Sequence, residues 1–156
     1  MAQSDPTSVL SAVKAYAARM KRTPTRNTTV LVVDDEATVR TFVERVLREA
    51  GYTTAVAAGG VEAIQVATTL DVFDVVVTDV VMPQMSGDEL ARRLRASYPL
   101  LKVLYLTGFS DRLFKEKVTL WEDEAFLDKP CSVQGLLQAV SLLAYGRCEA
   151  PNEPRS

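Results

Sequence analysis

The stretch Thr28–Gly51, with the sequence TTVLVVDDEATVRTFVERVLREAG, contains an apolar run, three acids and an amphipathic segment in that order. The run Val30–Val33 shows no alternation of polar and apolar residues, which is typical of a strand covered on both faces. After the acids, apolar residues recur at helical spacing, and Gly51 is a favourable residue for a helix end. The stretch therefore predicts one β-α unit. The helical stripe consists of Val39, Phe42, Val43, Val46, Leu47 and Ala50.

The same order of apolar run and helical segment repeats along the chain. Further strands are predicted at Thr53–Ala57, Val75–Thr78, Val103–Leu106 and Ala125–Leu127. Further helices are predicted at Val61–Leu70, Asp88–Ser97, Asp111–Leu120 and Val133–Tyr145. Because strands that alternate with helices indicate parallel strands joined by crossover helices, we predict an α/β fold with a doubly wound five-stranded parallel sheet. Ligands of such a sheet bind at the carboxyl ends of its strands.

Residues 1–27 and 147–156 flank the predicted domain, which spans residues 28–146. Apolar side chains lie at helical spacing in Pro6–Met20, and Thr23–Asn27 breaks that pattern, so we predict an amphipathic helix and a linker. We favour packing of this helix on its own domain or on a second copy, as a homodimer, over a membrane surface or a partner helix. We expect the tail of residues 147–156 to be disordered.

The composition restricts the classes of function. The 156 residues include no histidine, so the commonest general base is absent and any phosphoryl group would come from another molecule. Residues 1–26 hold five basic residues and one acid, a net charge of +4, which leaves −6 for the remainder. We therefore expect no nucleic acid partner. No apolar run approaches the roughly 20 residues of a membrane span, and no secretory signal is visible, so we expect a cytoplasmic protein.

Acids follow the first and third predicted strands. Asp34, Asp35 and Glu36 follow the first, and Asp79 ends the third. Because the carboxyl ends of parallel strands meet in one crevice, these acids would repel one another unless a hard divalent cation neutralised them. Mg²⁺ fits, since it prefers carboxylates together with waters and phosphate oxygens. The alternative is that the first three acids only favour the N-terminus of the next helix, which is worth about 0.3–1 kcal/mol.

A hydroxyl and an ammonium group follow the fourth and fifth predicted strands. The fourth ends in Leu106-Thr107-Gly108 and the fifth in Asp128-Lys129-Pro130. Taken singly, such a threonine is more often a helix cap and such a lysine more often a solvated charge. Together with the acids they describe a phosphate site, with acids for a metal, an acceptor carboxylate, a hydroxyl donor and a cation.

These motifs resemble those of the response regulator receiver domains of two-component signalling. The five motifs occur in order over about residues 28–146, and the similarity is greatest to the receiver modules attached to hybrid sensor kinases. The resemblance implies a flavodoxin-like (βα)5 fold with strand order 2-1-3-4-5, and a protein that catalyses only its own phosphorylation and dephosphorylation. The motifs are Leu31–Glu36, Val77–Pro83, Ser86-Gly87, Leu106–Gly108 and Lys129-Pro130.

The resemblance also implies a role for each site residue. Asp79 would take a phosphoryl group from a phosphohistidine-bearing sensor kinase or phosphotransfer protein. Asp35, Asp79 and the backbone carbonyl of Val81 would bind Mg²⁺ directly, and Asp34 would act through water. Lys129 would contact a phosphoryl oxygen and stabilise the transferring charge.

The resemblance further implies a switch. Thr107 would move toward the attached phosphoryl group, and Phe126 would rotate inward as it does so. A docking face that includes Phe126 and Ser110–Trp121 would then change and bind a downstream protein target, which the sequence does not identify. The Lys129-Pro130 peptide bond would be cis. Because few residues follow Tyr145, we expect the chain to act by being docked or to be part of a larger protein.

Three other functions compete with this interpretation. A Mg²⁺-dependent phosphatase of the haloacid-dehalogenase kind would need a second acid two residues after its nucleophile, and position 81 is valine. A nucleotide-binding module would need a Gly-rich loop after the first strand, which is absent. The fold could also be an interaction scaffold that is never phosphorylated. Val81 and Phe109 are apolar where many receivers carry polar residues, so we hypothesise slow dephosphorylation.

Overall fold

The structure is a computed structural model that describes residues 9–15, 28–108 and 123–146. Five parallel strands form one sheet in the order β2-β1-β3-β4-β5, which confirms the predicted architecture and strand order. The strands are β1 (Thr29–Val33), β2 (Thr53–Ala57), β3 (Val75–Asp79), β4 (Lys102–Thr107) and β5 (Glu124–Asp128). The helices that follow strands in the described ranges are α1 (Ala37–Glu49), α2 (Gly60–Thr69), α3 (Gly87–Ser97) and α4 (Val133–Tyr145). Each bound lies within two residues of its predicted position.

The register of the strands brings their carboxyl ends together. Val33, the last residue of β1, is paired with Ala57 on one side and Thr78 on the other. Thr107, the last residue of β4, is paired with Asp128 of β5. Residues that directly follow these strands therefore face one edge of the sheet.

The sheet is covered on both faces, because successive side chains of each strand point to opposite sides. In β1, Leu31 and Val33 pack into a cluster with residues of α2 and α3. Val30 and Val32 pack into a second cluster with residues of α1 and α4. All four side chains are buried, which explains why their sequence is apolar without alternation.

Residues 9–15 are helical and contribute to the second cluster. Val9 and Val13, one turn apart, are 1% and 3% exposed. This part of the predicted N-terminal helix therefore packs on its own domain. Within the described ranges, no helix has both the length and the apolar character needed to cross a bilayer.

Several predictions fall on other residues. The bounds of the domain at 28 and 146 stay predictions. The following lie outside the described residues: the rest of Pro6–Met20, the linker Thr23–Asn27, Phe109, the segment Ser110–Trp121 with its predicted helix Asp111–Leu120, and the tail 147–156.

Candidate functional site

Three carboxylates meet at the carboxyl edge of the sheet. Asp34 directly follows β1 and is buried, whereas Asp35 is exposed. Asp79 ends β3 and is buried. Each of the three offers a carboxylate oxygen within 4.8 Å of those of the other two. The predicted acid cluster is therefore assembled by the fold.

Lys129 does not fully neutralise the carboxylates of Asp34 and Asp79. Burial raises the pKa of Asp34 above its ordinary value, although a hydrogen bond from the Glu36 backbone N–H and the nearby Lys129 oppose this. Burial also raises the pKa of Asp79 to about 6, and the charge of Lys129 only partly offsets it. Oxygen ligands from crowded, desolvated carboxylates are a donor set that suits Mg²⁺. The residues present therefore fit that ion.

Lys129 places its ammonium group among these acids. The Nζ atom lies 3.0 Å from Asp34 Oδ2, 3.2 Å from Asp79 Oδ2 and 3.6 Å from Glu36 Oε1. Burial lowers the pKa of Lys129, but the hydrogen bonds and charges of Asp34 and Asp79 outweigh this and raise it. The group therefore stays cationic, and the Lys129-Pro130 bond is cis as the resemblance implied.

Thr107 ends β4 and is buried beside β5. Its backbone carbonyl accepts a hydrogen bond from the Lys129 N–H at 2.8 Å. Its hydroxyl donates to Asp128 Oδ1 at 3.0 Å. Phe126 lies two residues before Asp128 on β5. It is paired with Tyr105 of β4 and is 52% exposed. The predicted switch residues thus lie on two adjacent strands.

The loop between β3 and α3 closes tightly on Asp79. The Val80 N–H donates to the Leu106 carbonyl at 3.3 Å, and the Val80 carbonyl accepts from the Gly87 N–H at 2.7 Å. In residues 28–108 and 123–146, no hydrogen bond ends on the Val81 carbonyl, and its side chain is exposed. This carbonyl is therefore available to a ligand. Slow dephosphorylation is inferred from the apolar side chains of Val81 and Phe109 together. Because Phe109 lies outside the described residues, this inference stays a prediction.

The sequence assigned no contact to three contributors, which are Gly87, Arg40 and Asp128. A Cβ atom at Gly87 would lie 2.1 Å from the Asp79 carbonyl oxygen, so the start of α3 can approach Asp79 only without a side chain. Arg40 Nη1 donates to the Asp34 carbonyl at 2.7 Å and fixes the peptide that leads to Asp35. Asp128 is the acceptor of the Thr107 hydroxyl. Gly87 and Asp128 gave a signal in the sequence, because Gly87 belongs to the Ser86-Gly87 motif and Asp128 directly precedes Lys129, whereas Arg40 gave none.

Comparison with known proteins identifies the family. A family model described as the response regulator receiver domain matches residues 30–141. The sensor kinase CckA of Brucella abortus (strain 2308) is 40% identical over 113 residues, 72% of this chain and 12% of CckA. The response regulator receiver protein CpdR of the same strain is 31% identical over 111 residues, 71% of this chain and 92% of CpdR. The chain thus spans a small part of one relative and nearly all of the other.

The fold gives the same assignment. The crystal structure of the receiver domain from the hybrid histidine kinase CckA matches with a TM-score of 0.62 at 28% identity, covering 74% of this chain and 98% of that one. Receiver domains are generally not classical enzymes, and in two-component systems they interact with kinases or phosphotransfer proteins. The expected resemblance is therefore confirmed, and this chain belongs to the response regulator receiver domains of two-component systems.

Proposed function

We propose that Asp79 accepts a phosphoryl group from a phosphohistidine and that the resulting charge changes a docking surface for another protein. One observation carries the proposal: the Lys129 ammonium lies within 3.2 Å of both Asp34 and Asp79, at the point where β1, β3 and β5 end. A buried carboxylate beside a fixed cation and further acids is the arrangement that accepting a phosphoryl group requires.

Mg²⁺ is the cofactor of this proposal. Asp35, Asp79 and the Val81 carbonyl would hold it directly, with Asp34 acting through water. The crowding of the three carboxylates supports this set, and so does the Val81 carbonyl, which accepts no hydrogen bond from the described residues. When bound, the ion would supply positive charge against the carboxylates and the incoming phosphoryl oxygens.

The chain's own residues perform the transfer. A carboxylate oxygen of Asp79 forms a bond to phosphorus as the bond from phosphorus to the donor imidazole nitrogen breaks, and the imidazole keeps that electron pair. Lys129, already held between Asp34 and Asp79, moves little to contact a phosphoryl oxygen. Burial of Asp79 strengthens each of these charge interactions because water is largely excluded.

The effect of phosphorylation is transmitted through β4 and β5. The phosphoryl group adds about −1.5 to −2 charges, so it attracts the hydroxyl of Thr107. As Thr107 turns, Phe126 on the neighbouring strand changes its position, and the surface around Phe126 binds a downstream protein. We place this activity in the cytoplasm, with a phosphohistidine-bearing sensor kinase or phosphotransfer protein as the donor.

The proposal is tested by incubating the purified chain with Mg²⁺ and acetyl phosphate and measuring its intact mass. We expect the wild-type chain to gain one phosphoryl group and Asp79→Asn to gain none. Asp71→Asn, which alters an exposed carboxylate away from the site, should gain one as the wild type does. If the wild-type chain gains no phosphoryl group from acetyl phosphate or from a phosphorylated kinase, the scaffold interpretation replaces this one. Catalytic turnover of p-nitrophenyl phosphate would instead favour a phosphatase.

A further inference from the structure

The switch residue Thr107 is bound to β5 through both its backbone and its side chain. Its carbonyl accepts from the Lys129 N–H at 2.8 Å, as expected of neighbouring strands. Its hydroxyl donates to the carboxylate of Asp128 at 3.0 Å, and the two residues are direct partners in the strand register. The side chain can therefore turn while the backbone stays anchored.

A hydroxyl has one proton to donate, so the phosphoryl group on Asp79 and the carboxylate of Asp128 compete for it. A carboxylate is a stronger acceptor than a neutral oxygen, because the acceptor is charged. Thr107 is 6% exposed, whereas Asp128 is exposed to solvent and keeps part of its hydration. The charge of the carboxylate favours this hydrogen bond and its partial hydration weakens it, so a dianion nearby can compete for the hydroxyl proton.

We propose that Asp128 is a positioning residue that latches Thr107 away from the acceptor site until Asp79 is phosphorylated. The inference rests on the proposed function, because only a phosphoryl group on Asp79 would compete for the hydroxyl. The latch opposes switching in the unphosphorylated chain, since activation must first break the bond between Thr107 and Asp128. Opening it leaves the backbone bond from Lys129 in place.

The latch also connects the hydroxyl to the docking surface. Glu124, Phe126 and Asp128 alternate along β5, so their side chains lie on one face of the sheet. Thr107 and Tyr105 lie on that same face of the sheet, on the neighbouring strand β4. There Thr107 is paired with Asp128, and Tyr105 is paired with Phe126. Release of Thr107 therefore alters the neighbourhood of Phe126 across a single pair of strands.

The test compares the wild-type chain with Asp128→Ala, which removes the acceptor, and Asp128→Asn, which removes the charge but keeps an oxygen acceptor. The first measurement uses three-bond NMR couplings to the Thr107 γ2 methyl group in the ligand-free chain. We expect one rotamer in the wild type, averaging in Asp128→Ala and an intermediate result in Asp128→Asn. Asp123→Ala, which removes a carboxylate just before the other end of β5, should leave the couplings unchanged.

The second measurement is the affinity for beryllofluoride, an acyl-phosphate mimic, in the presence of Mg²⁺. Asp128→Ala should bind it more tightly by about threefold to tenfold, the ratio that one ordinary hydrogen bond is worth. Part of any gain could come from removing a negative charge near an anion. That part persists when Thr107 is replaced by valine, whereas the latch contribution disappears in the Thr107→Val background.

Two outcomes would overturn the latch. One is an unchanged Thr107 rotamer in Asp128→Ala. The other is an equal gain in beryllofluoride affinity with and without the Thr107 hydroxyl. If the wild-type chain binds no beryllofluoride at all, the proposed function fails instead, and the couplings measured without ligand still decide whether Asp128 holds Thr107.

Discussion

The ammonium nitrogen of Lys129 lies 3.2 Å from Asp79 Oδ2, yet the pKa of Asp79 is raised to about 6. Burial is the largest cause of the increase, and the charge of Asp34 adds to it, so one lysine does not compensate fully. The ionised carboxylate of Asp79 is therefore held in the folded chain at a cost in stability. Further positive charge beside Asp79 would reduce that cost.

Asp79→Asn should increase the free energy of unfolding of the metal-free chain at neutral pH. The pKa of Asp79 is about 6 in the folded chain and 3.8 ordinarily, so between these pH values Asp79 binds a proton more readily in the folded state than in the unfolded state. Stability then falls as pH rises from about 4 to about 6, and the full penalty, on the order of 1–3 kcal/mol, is present above about pH 7. Urea unfolding at acidic and neutral pH measures the difference.

The asparagine variant cannot ionise, so its advantage should shrink toward zero at about pH 4, below the folded pKa of the wild-type aspartate. Asp71→Asn, at an exposed position, should show no such pH dependence. Equal stability of Asp79→Asn and the wild-type chain at neutral pH would contradict the cost assigned to the ionised Asp79 carboxylate.

Much of the fold and of the central site could be predicted from the sequence, because both depend on local patterns. Apolar runs without alternation located strands buried on both faces, and the acids and Thr107 stood directly after them, with Lys129 two residues after the last predicted strand. The contacts between Thr107 and Asp128 and between Gly87 and the Asp79 carbonyl could not be predicted. They depend on strand register and on the approach of a helix, which no single stretch of sequence encodes.

Gly87→Ala should destabilise the chain and impair Mg²⁺ binding. The new Cβ would lie 2.1 Å from the Asp79 carbonyl oxygen and 3.2 Å from Val80 Cα, and both are backbone atoms that move only with the loop. Overpacking of this kind costs about 1–3 kcal/mol. Chemical denaturation gives the stability, and calorimetric titration with Mg²⁺ gives the affinity.

Gly59→Ala is the matched control for this substitution. Gly59 also stands at the start of a helix, but a Cβ atom there meets nothing within 4 Å and its φ of −172° is ordinary extended backbone. We expect a change in stability of at most about 1 kcal/mol, from helix capping alone, and unaltered Mg²⁺ affinity. Similar losses of affinity in both variants would show that the approach of Gly87 to Asp79 does not shape the site.

Glu124→Leu should be strongly destabilising, because it removes the carboxylate from a largely buried ion pair with Arg95. Arg95 Nη1 lies 2.9 Å from Glu124 Oε2, with side chains 13% and 2% exposed, and the Tyr105 hydroxyl donates to the same oxygen at 3.0 Å. Breaking a buried pair from one side costs about 3–5 kcal/mol. Adding Arg95→Leu should recover part of the loss, which a double-mutant cycle in urea would measure.

The exposed pair of Glu44 and Arg48 on α1 gives the comparison. Arg48→Ala should change stability by only about 0.3–0.5 kcal/mol, since an exposed pair on a helix is well solvated. If Glu124→Leu costs no more than Arg48→Ala, then the ion pair between α3 and β5 contributes little to the fold. A double variant less stable than the sum of the single variants would also contradict the prediction.

Val13→Ala should lower the free energy of unfolding by about 1–2 kcal/mol, since it removes two methyl groups from a packed cluster. Val13 is 3% exposed in the cluster that also contains side chains of α1 and α4, whereas the adjacent Lys14 is exposed. Lys14→Ala should therefore have no measurable effect. Because the packing lies within one chain, the loss should not depend on protein concentration. A loss seen only at high concentration would indicate that the helix packs on a second copy.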